Sequence, residues 1–367
     1  MFWRYYIKRW YAVALVIVLL FTSNPLLVAA TTLNTKSPDI PVEYLDYVYE
    51  QINFDDEFIN KTRTKFDVSA STYLYNLSNE PVAVIYHFNP IGYAIYDYNS
   101  EIVLEYSLDN NHPFIKANGL RYYFNGICNY YIRTADGYLN LATNRIIPFD
   151  NAASESHSFY NENYVQYASS VQRGAPYGPI ILSNSTRLYN CNISSNLPYF
   201  YPNATPAELE DNPGVCGSVA CAILVAYYDD YKSYLAGNEG YFADYGSKVS
   251  GTVSNYTYGI ELVKEFIGYI EPDGNGSLFL NPGVRSYLSD HYLSGGLRSN
   301  VLNAYRDVVD AVGDDVPIIV GLVGHYCVAV GYKYDGTYEY IYVNTGWGGH
   351  AWYYAGSVLS SWTLYLD

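Results

Sequence analysis

Three residues that lie far apart in the chain have the types that acyl-transfer chemistry needs. Cys216 stands in Asn212-Pro-Gly-Val-Cys-Gly-Ser-Val-Ala220. A Pro-Gly turn leads into it, and after Gly217 no Gly or Pro occurs up to Tyr231. That pattern predicts a helix opening at Cys216. The open N–H groups and the dipole of a helix N-terminus favour a thiolate, and a thiolate is the nucleophile for acyl transfer. His325 stands in VPIIVGLVGHYCVAVGY (316–332), at the expected start of a strand after a Gly. The small residues Cys327, Ala329 and Gly331 share its face and leave room beside the imidazole. Asn344 stands in YVNTGWGGH (342–350), where a strand runs into a Gly-rich turn. An Asn side chain can accept the ring N–H of a neighbouring His and fix its tautomer. Trp347 can cover that bond from water.

Each residue alone has a plainer explanation. A lone Cys is most often a small buried hydrophobe, and Cys221, between Ala220 and Ala222, is read that way. His350 competes with His325 for the role of base but is read as a loop residue. His87, His112, His157 and His291 have no distinctive setting. What stands out is the order: Cys at a helix start, His at a strand start, Asn before a Gly-Trp-Gly turn. A thiolate–imidazolium pair needs the thiol to fall from about 8.5 by up to five units, about 7 kcal/mol. A helix end supplies about 0.3–2 kcal/mol. Most must come from His325, so the two side chains must be adjacent.

The elements that would position these groups can be read from hydrophobic period and from Gly and Pro. Cys216 to Tyr231 places Val219, Ala220, Ile223, Leu224 and Tyr227 on one helical face. Ile260 to Ile270 and the short Val284 to His291 are further helices. Asn300 is expected to cap a fourth, burying Val301, Leu302, Tyr305, Val308, Val309 and Val312. Strands follow at Ile318 to Val323, His325 to Tyr332 and Tyr338 to Val343. Upstream, Val42, Leu45, Val48 and Ile52 have helical spacing. Pro81 to Phe88, Gly92 to Tyr96 and Ile102 to Tyr106 read as strands, with Asn89-Pro90 as a turn. Residues 147–178 have linker-like composition, which puts a boundary near 150–175.

The chain has 367 residues, enough for two or three folded units. Twenty basic against 36 acidic residues give a net charge of −16, which argues against a nucleic-acid binder or a polybasic membrane-surface protein. Five Cys are too few for a disulfide scaffold, and 46 Tyr stand against one Met. Arg4, Lys8 and Arg9 precede an apolar run from Tyr11 to Phe21, and Ala29-Ala30 closes the segment. Residues 1–30 therefore read as a secretory signal peptide cut after Ala30, with no stable membrane anchor remaining and a secreted, extracellular location. Sequons occur at Asn60, Asn76, Asn184, Asn192, Asn203, Asn255 and Asn275. No His/Cys pair has zinc spacing, and neither Gly295-Gly296 nor Gly348-Gly349 follows a phosphate-binding pattern. No metal and no cofactor are expected.

The segments CGSVA, GHYCVAVGY and NTGWGG together resemble the papain-like cysteine peptidases, in particular the streptopain family and the bacteriocin-leader-processing type, over about residues 168–367. The segment 87–114 is similar, more loosely, to the inhibitory prodomain of streptopain-like enzymes. The resemblance implies an α+β, papain-like fold: a helical part carrying the Cys and an antiparallel sheet carrying the His and Asn, preceded by a β-rich prodomain. It implies a propeptide over 31–165 and a peptidase domain over 166–367. Cys216 would be the nucleophile, His325 the general acid/base and Asn344 the residue that orients it. The Cys216 backbone N–H would form half of the oxyanion hole. The partners implied are a protein or peptide substrate and the chain's own propeptide as inhibitor. Three departures matter. Glu210 stands where the family carries a Gln that donates to the oxyanion; ionised, it would repel the developing charge, and Asn212 is the nearby substitute. Thr345 replaces the first Trp of the turn. His325 and Asn344 follow Cys216 by 109 and 128 residues, against about 130–150 in papain and cathepsins. Two other classes stay open: a Cys amidase or transglutaminase-like acyl transferase, and a catalytically inactive papain-like binding module, which Glu210 favours. A structural or adhesive secreted protein, suggested by the Tyr content, leaves the prodomain-like half unexplained.

Overall fold

The computed structural model describes residues 44–59, 67–117, 120–141, 146–152, 177–182, 215–237, 240–243, 256–270, 280–334, 336–346 and 349–367. The expected signal peptide, most of the 150–175 boundary, Glu210, Asn212, Trp347, Cys191 and every sequon but Asn76 lie outside the described residues. In the N-terminal half, helix α1 (Leu45–Ile59) precedes strands β1 (Asp67–Tyr75), β2 (Pro81–Asn89), β3 (Tyr93–Asp97), β4 (Ile102–Ser107), β5 (Tyr122–Phe124), β6 (Tyr130–Arg133), β7 (Tyr138–Asn140) and β8 (Ile146–Ile147). The C-terminal half has β9 (Tyr177–Ile181), α2 (Cys216–Tyr231), α3 (Tyr256–Tyr269), α4 (Leu280–Asp290), β10 (Gly295–Asn300) and α5 (Ala304–Gly313). It ends in β11 (Ile318–Leu322), β12 (His325–Tyr334), β13 (Glu339–Asn344), β14 (His350–Tyr354) and β15 (Ser360–Leu366). The fold is mixed α+β, with five helices among the described residues and one large, mostly antiparallel sheet.

The sheet runs β10-β15-β11-β12-β13-β14-β4-β3-β2-β1-β5-β6-β7-β8, with β9 added on β12. Only the contact of β1 with β5 is parallel. The apolar, β-branched and Tyr-rich runs of β3, β4, β11 and β12 are buried almost throughout, as is the middle of β2, as strands covered on both faces must be. Helix α2 begins and ends at the residues its pattern predicts, but it is buried on nearly every side: Cys221, Ala222 and Val225 are as covered as Val219 and Ile223. It packs on β11, β12, α3 and α4.

Several sequence expectations shift. Helix α4 starts at Leu280, not Val284, because Pro282 falls in its first turn, where a missing N–H costs nothing. Asn300 ends β10 and does not cap α5; its Oδ1 accepts the Leu302 N–H at 3.0 Å and turns the chain. Val301 and Leu302, expected in the core, are 64% and 73% exposed. Strand β12 has an irregularity between Ala329 and Gly331. Gly331 therefore leaves the face shared by His325, Cys327 and Ala329.

The two halves join at the pair β4–β14, with Tyr106 opposite Trp352 and Glu105 opposite Tyr353. Successive residues on a strand point to opposite faces, so this seam carries two different environments. On one face Lys333, fully buried, sits among the rings of Tyr106, Tyr340 and Trp352 at 4.8, 4.8 and 5.2 Å. Its Nζ donates to the Tyr106 hydroxyl and to the Gln51 carbonyl of α1. On the other face Glu105, also buried, accepts from the hydroxyls of Tyr93 and Tyr130. Residues Asp39 to Asp367 make one compact unit.

Candidate active site

Three elements meet where the sequence places its chemistry. Cys216 is the first residue of α2, and that helix has no acid in its first turn and no side-chain cap. A Cβ on Gly217 would lie 2.8 Å from the Leu280 side chain of α4 and 3.6 Å from the Tyr326 ring, so the start of α2 sits close against both α4 and β12. His325 opens β12 after the two-residue link Val323-Gly324, with Leu322 opposite His325. Gly324 has φ +72°, which a side chain disfavours. Gly346, with φ +75°, puts the turn after Asn344 against α2; a Cβ there would be 3.1 Å from Val219 Cγ1.

The helix that Cys216 opens packs on β12, and the backbone N–H groups of Tyr326, Gly217 and Cys216 favour the charged form of its sulfur. Since Tyr326 is the neighbour of His325, the thiol and the imidazole belong to one site. His325 is 4% exposed, and its Nε2 is bonded to the Thr345 carbonyl at 3.1 Å. A carbonyl only accepts, so Nε2 carries the proton and Nδ1 is the basic nitrogen of the neutral ring. Asn344, fully buried, lies opposite Val328. Its Oδ1 accepts the Gly346 N–H at 3.0 Å and so shapes the turn that presents the Thr345 carbonyl. The sequence assigned the orienting contact to the Asn344 side chain. A main-chain acceptor leaves no mark on residue type, so the part played by the Thr345 carbonyl had no signal to find.

Burial sets the charge state. It pushes the Cys216 thiol up, against the pull of the three N–H groups. It holds His325 down at about 4, with the Thr345 carbonyl acting in the opposite sense. In this arrangement both groups are neutral near pH 7, whereas an ion pair needs the thiol down and the imidazole up.

The N-terminal half reaches this site. Between β5 and β6 the chain turns back on itself, with Asn125 N–H donating to the Asn129 carbonyl at 3.0 Å. Asn129 Nδ2 donates to the Val323 carbonyl at 2.8 Å, two residues before His325. The Cys128 thiol donates to the Tyr353 hydroxyl at 3.5 Å. Cys128, Cys216 and Cys327 are free thiols; burial raises all three, with Cys327 and Cys216 adding to the rise at Cys128 and Cys216 to that at Cys327. Cys221 is also a free, buried thiol, as expected of a core residue.

His350 is not a loop residue. It opens β14 opposite Asn344, is 2% exposed and stacks on Tyr342 at 5.1 Å. Burial holds it at about 4. Ser107 and Asn110 both donate to its carbonyl, at 2.9 and 2.8 Å. His87 and His112 pack edge to face at 4.1 Å. Among the described residues no group of three or more His, Cys, Asp or Glu could hold a metal ion, and no helix is long and apolar enough to cross a membrane. No protein-family model matches this chain, and no curated protein matches it significantly.

Proposed function

We propose that the protein is a secreted, papain-like cysteine peptidase, and that the described arrangement is its latent, zymogen form. The observation that carries the reading is the meeting of Cys216, at the head of a buried helix, with the His325–Tyr326 step of β12. Cys216 Sγ would give its proton to His325 Nδ1 and attack the scissile carbonyl. The imidazolium would then protonate the leaving amine, and the neutral ring would activate water for deacylation. The Thr345 carbonyl would keep Nε2–H oriented through the cycle, with Asn344 acting on it through the turn. The Cys216 N–H would be one oxyanion donor. The neutral state of both groups fits latency: the pair would charge only when water or substrate changes their surroundings. The N-terminal region would hold it so, through the turn at Asn125–Asn129 laid on the Val323 carbonyl.

The same neutrality favours one other reading, a catalytically inactive module. Mass spectrometry separates the two. Residues 31–367 and the Cys216→Ala variant are incubated with mild reductant at pH 5–8. A peptidase trims itself between about 150 and 175 while the variant stays whole. No trimming, together with alkylation of Cys216 by iodoacetamide no faster than a model thiol, makes the inactive module the better reading.

A further inference from the structure

We infer that the N-terminal half, up to Ala152, is a permanent partner of the C-terminal half and stays bound when the chain between Ala152 and Tyr177 is cut. The zymogen reading gives this inference its biological setting, but the binding itself does not depend on it.

The seam between the halves has the character of a core. Strands β4 and β14 pair within one continuous sheet. Both faces of the seam bury an ionisable side chain, and one of them, Lys333, donates its hydrogen bonds across to the opposite half. Lys333 belongs to the C-terminal half, yet it donates to the Tyr106 hydroxyl and the Gln51 carbonyl of the N-terminal half. Tyr106 is also one wall of its aromatic cage, a favourable setting for a desolvated cation. Glu105 belongs to the N-terminal half, and Tyr353 is its cross-strand partner from the other.

Gln51 links the halves a second time. Its Oε1 accepts from Val103 N–H at 2.9 Å and from the Tyr340 hydroxyl at 3.0 Å, and its Nε2 donates to the Glu101 carbonyl at 3.1 Å. Asn110 is fitted so closely that a Cβ on Gly349 would lie 2.6 Å from its Oδ1. Separation would take the Tyr106 and Gln51 acceptors from Lys333 and open a buried face on each side. Groups buried this way are costly to leave unpartnered. Activation must then act locally, by moving the Asn125–Asn129 turn off the Val323 carbonyl, with α1 and β1 to β4 left in place.

The test uses the full chain carrying Cys216→Ala, so that peptidase activity plays no part, with a specific protease site inserted between residues 153 and 176. After complete cutting, size exclusion and native mass spectrometry at 1 µM-scale concentration should give one particle holding both pieces in a 1:1 ratio. The two segments co-expressed as separate chains should also co-purify. Adding Lys333→Ala to the cut protein should weaken the association at least about tenfold, while the uncut variant keeps its elution volume. Two separate peaks after cutting, or segments that fail to co-purify although each is folded by circular dichroism, would overturn the inference. Because trimming is not read here, that failure is distinct from failure of the peptidase reading.

Discussion

Around Cys216 the ionisable groups meet main-chain partners; across β4–β14 they meet mostly side chains. Backbone N–H groups face the thiol, and His325 bonds to the Thr345 carbonyl. Glu105 has two phenol donors, and Lys333 has a hydroxyl, a carbonyl and three rings. Burial holds Cys216 and His325 neutral although the carbonyl and amide groups beside them favour the charged forms. The tyrosines and the tryptophan supply aimed donors and π faces, which let an ionisable group be buried as part of the architecture. The charge state of each group follows from burial set against the pull of its partners.

That contrast yields tests in descending order of effect. Cys216→Ala should abolish self-trimming, a loss of at least about a thousandfold, with stability in urea unchanged to within about 1 kcal/mol. A large stability loss would make Cys216 a packing residue. Lys333→Ala should do the reverse: it should lower unfolding free energy by about 2–5 kcal/mol and leave the reactivity of Cys216 with iodoacetamide as in wild type. If urea titration shows no change, the cage is not structural.

The third test reads pH. Glu105 is raised from 4.5 to about 7 by burial, the two phenol donors pulling the other way. Its contribution to stability is complete below 4.5 and is lost as pH rises through 7. His325 and His350 are lowered from 6.5 to about 4 by burial. Their contribution is complete above 6.5 and is lost as pH falls through 4. His87, also near 4, and His112, near 3, act in the same sense as these two. The carboxyl therefore blunts the gain in stability that the histidines give as pH rises from 4.5 to 7. Glu105→Gln should steepen that gain by about 3 kcal/mol, measured by urea titration at each pH. Parallel curves for the two proteins would show that Glu105 does not titrate in the fold.

The smallest effect is expected at Asn344. Asn344→Ala removes one turn-shaping hydrogen bond, worth about 1 kcal/mol, so kcat/KM should fall roughly five- to tenfold. Its acid limb should shift as His325 loses a fixed acceptor. Asn344→Asp, which keeps the acceptor oxygen, should recover most of the rate. Equal loss in both variants would place Asn344 in direct contact with the reacting groups.

Much of this was legible in the residues. Strands β2, β3, β4 and β11 to β13 follow from apolar β-branched and Tyr runs bounded by Gly and Pro. Helix α2 follows from the Gly-free stretch after Gly217. Cys216 and His325 fall at the predicted element starts. What the residues could not disclose depends on partners distant in sequence. Strand β10, Gly295–Asn300, is polar and Gly-led; it is a strand because β15 pairs with it along its whole length. Strand β14 is buried throughout, so it shows no alternation to read. Lys333 looks like a solvent-facing residue of a hairpin until Tyr106, 227 positions away, is brought beside it.

The β4–β14 pairing also sets a condition on synthesis. Ile102–Ser107 leaves the ribosome long before His350–Tyr354, and until the later strand arrives β4 has an open edge of unpaired N–H and C=O groups. All six of its residues are buried in the finished fold. Exposed apolar edges of that kind recruit other strands. The nascent chain must therefore carry a sticky edge through most of its elongation, and a C-terminal half made alone would present the complementary edge at Trp352 and Tyr353. Low yield and self-association of either half expressed separately are the expected cost of a sheet that closes only near its last strands.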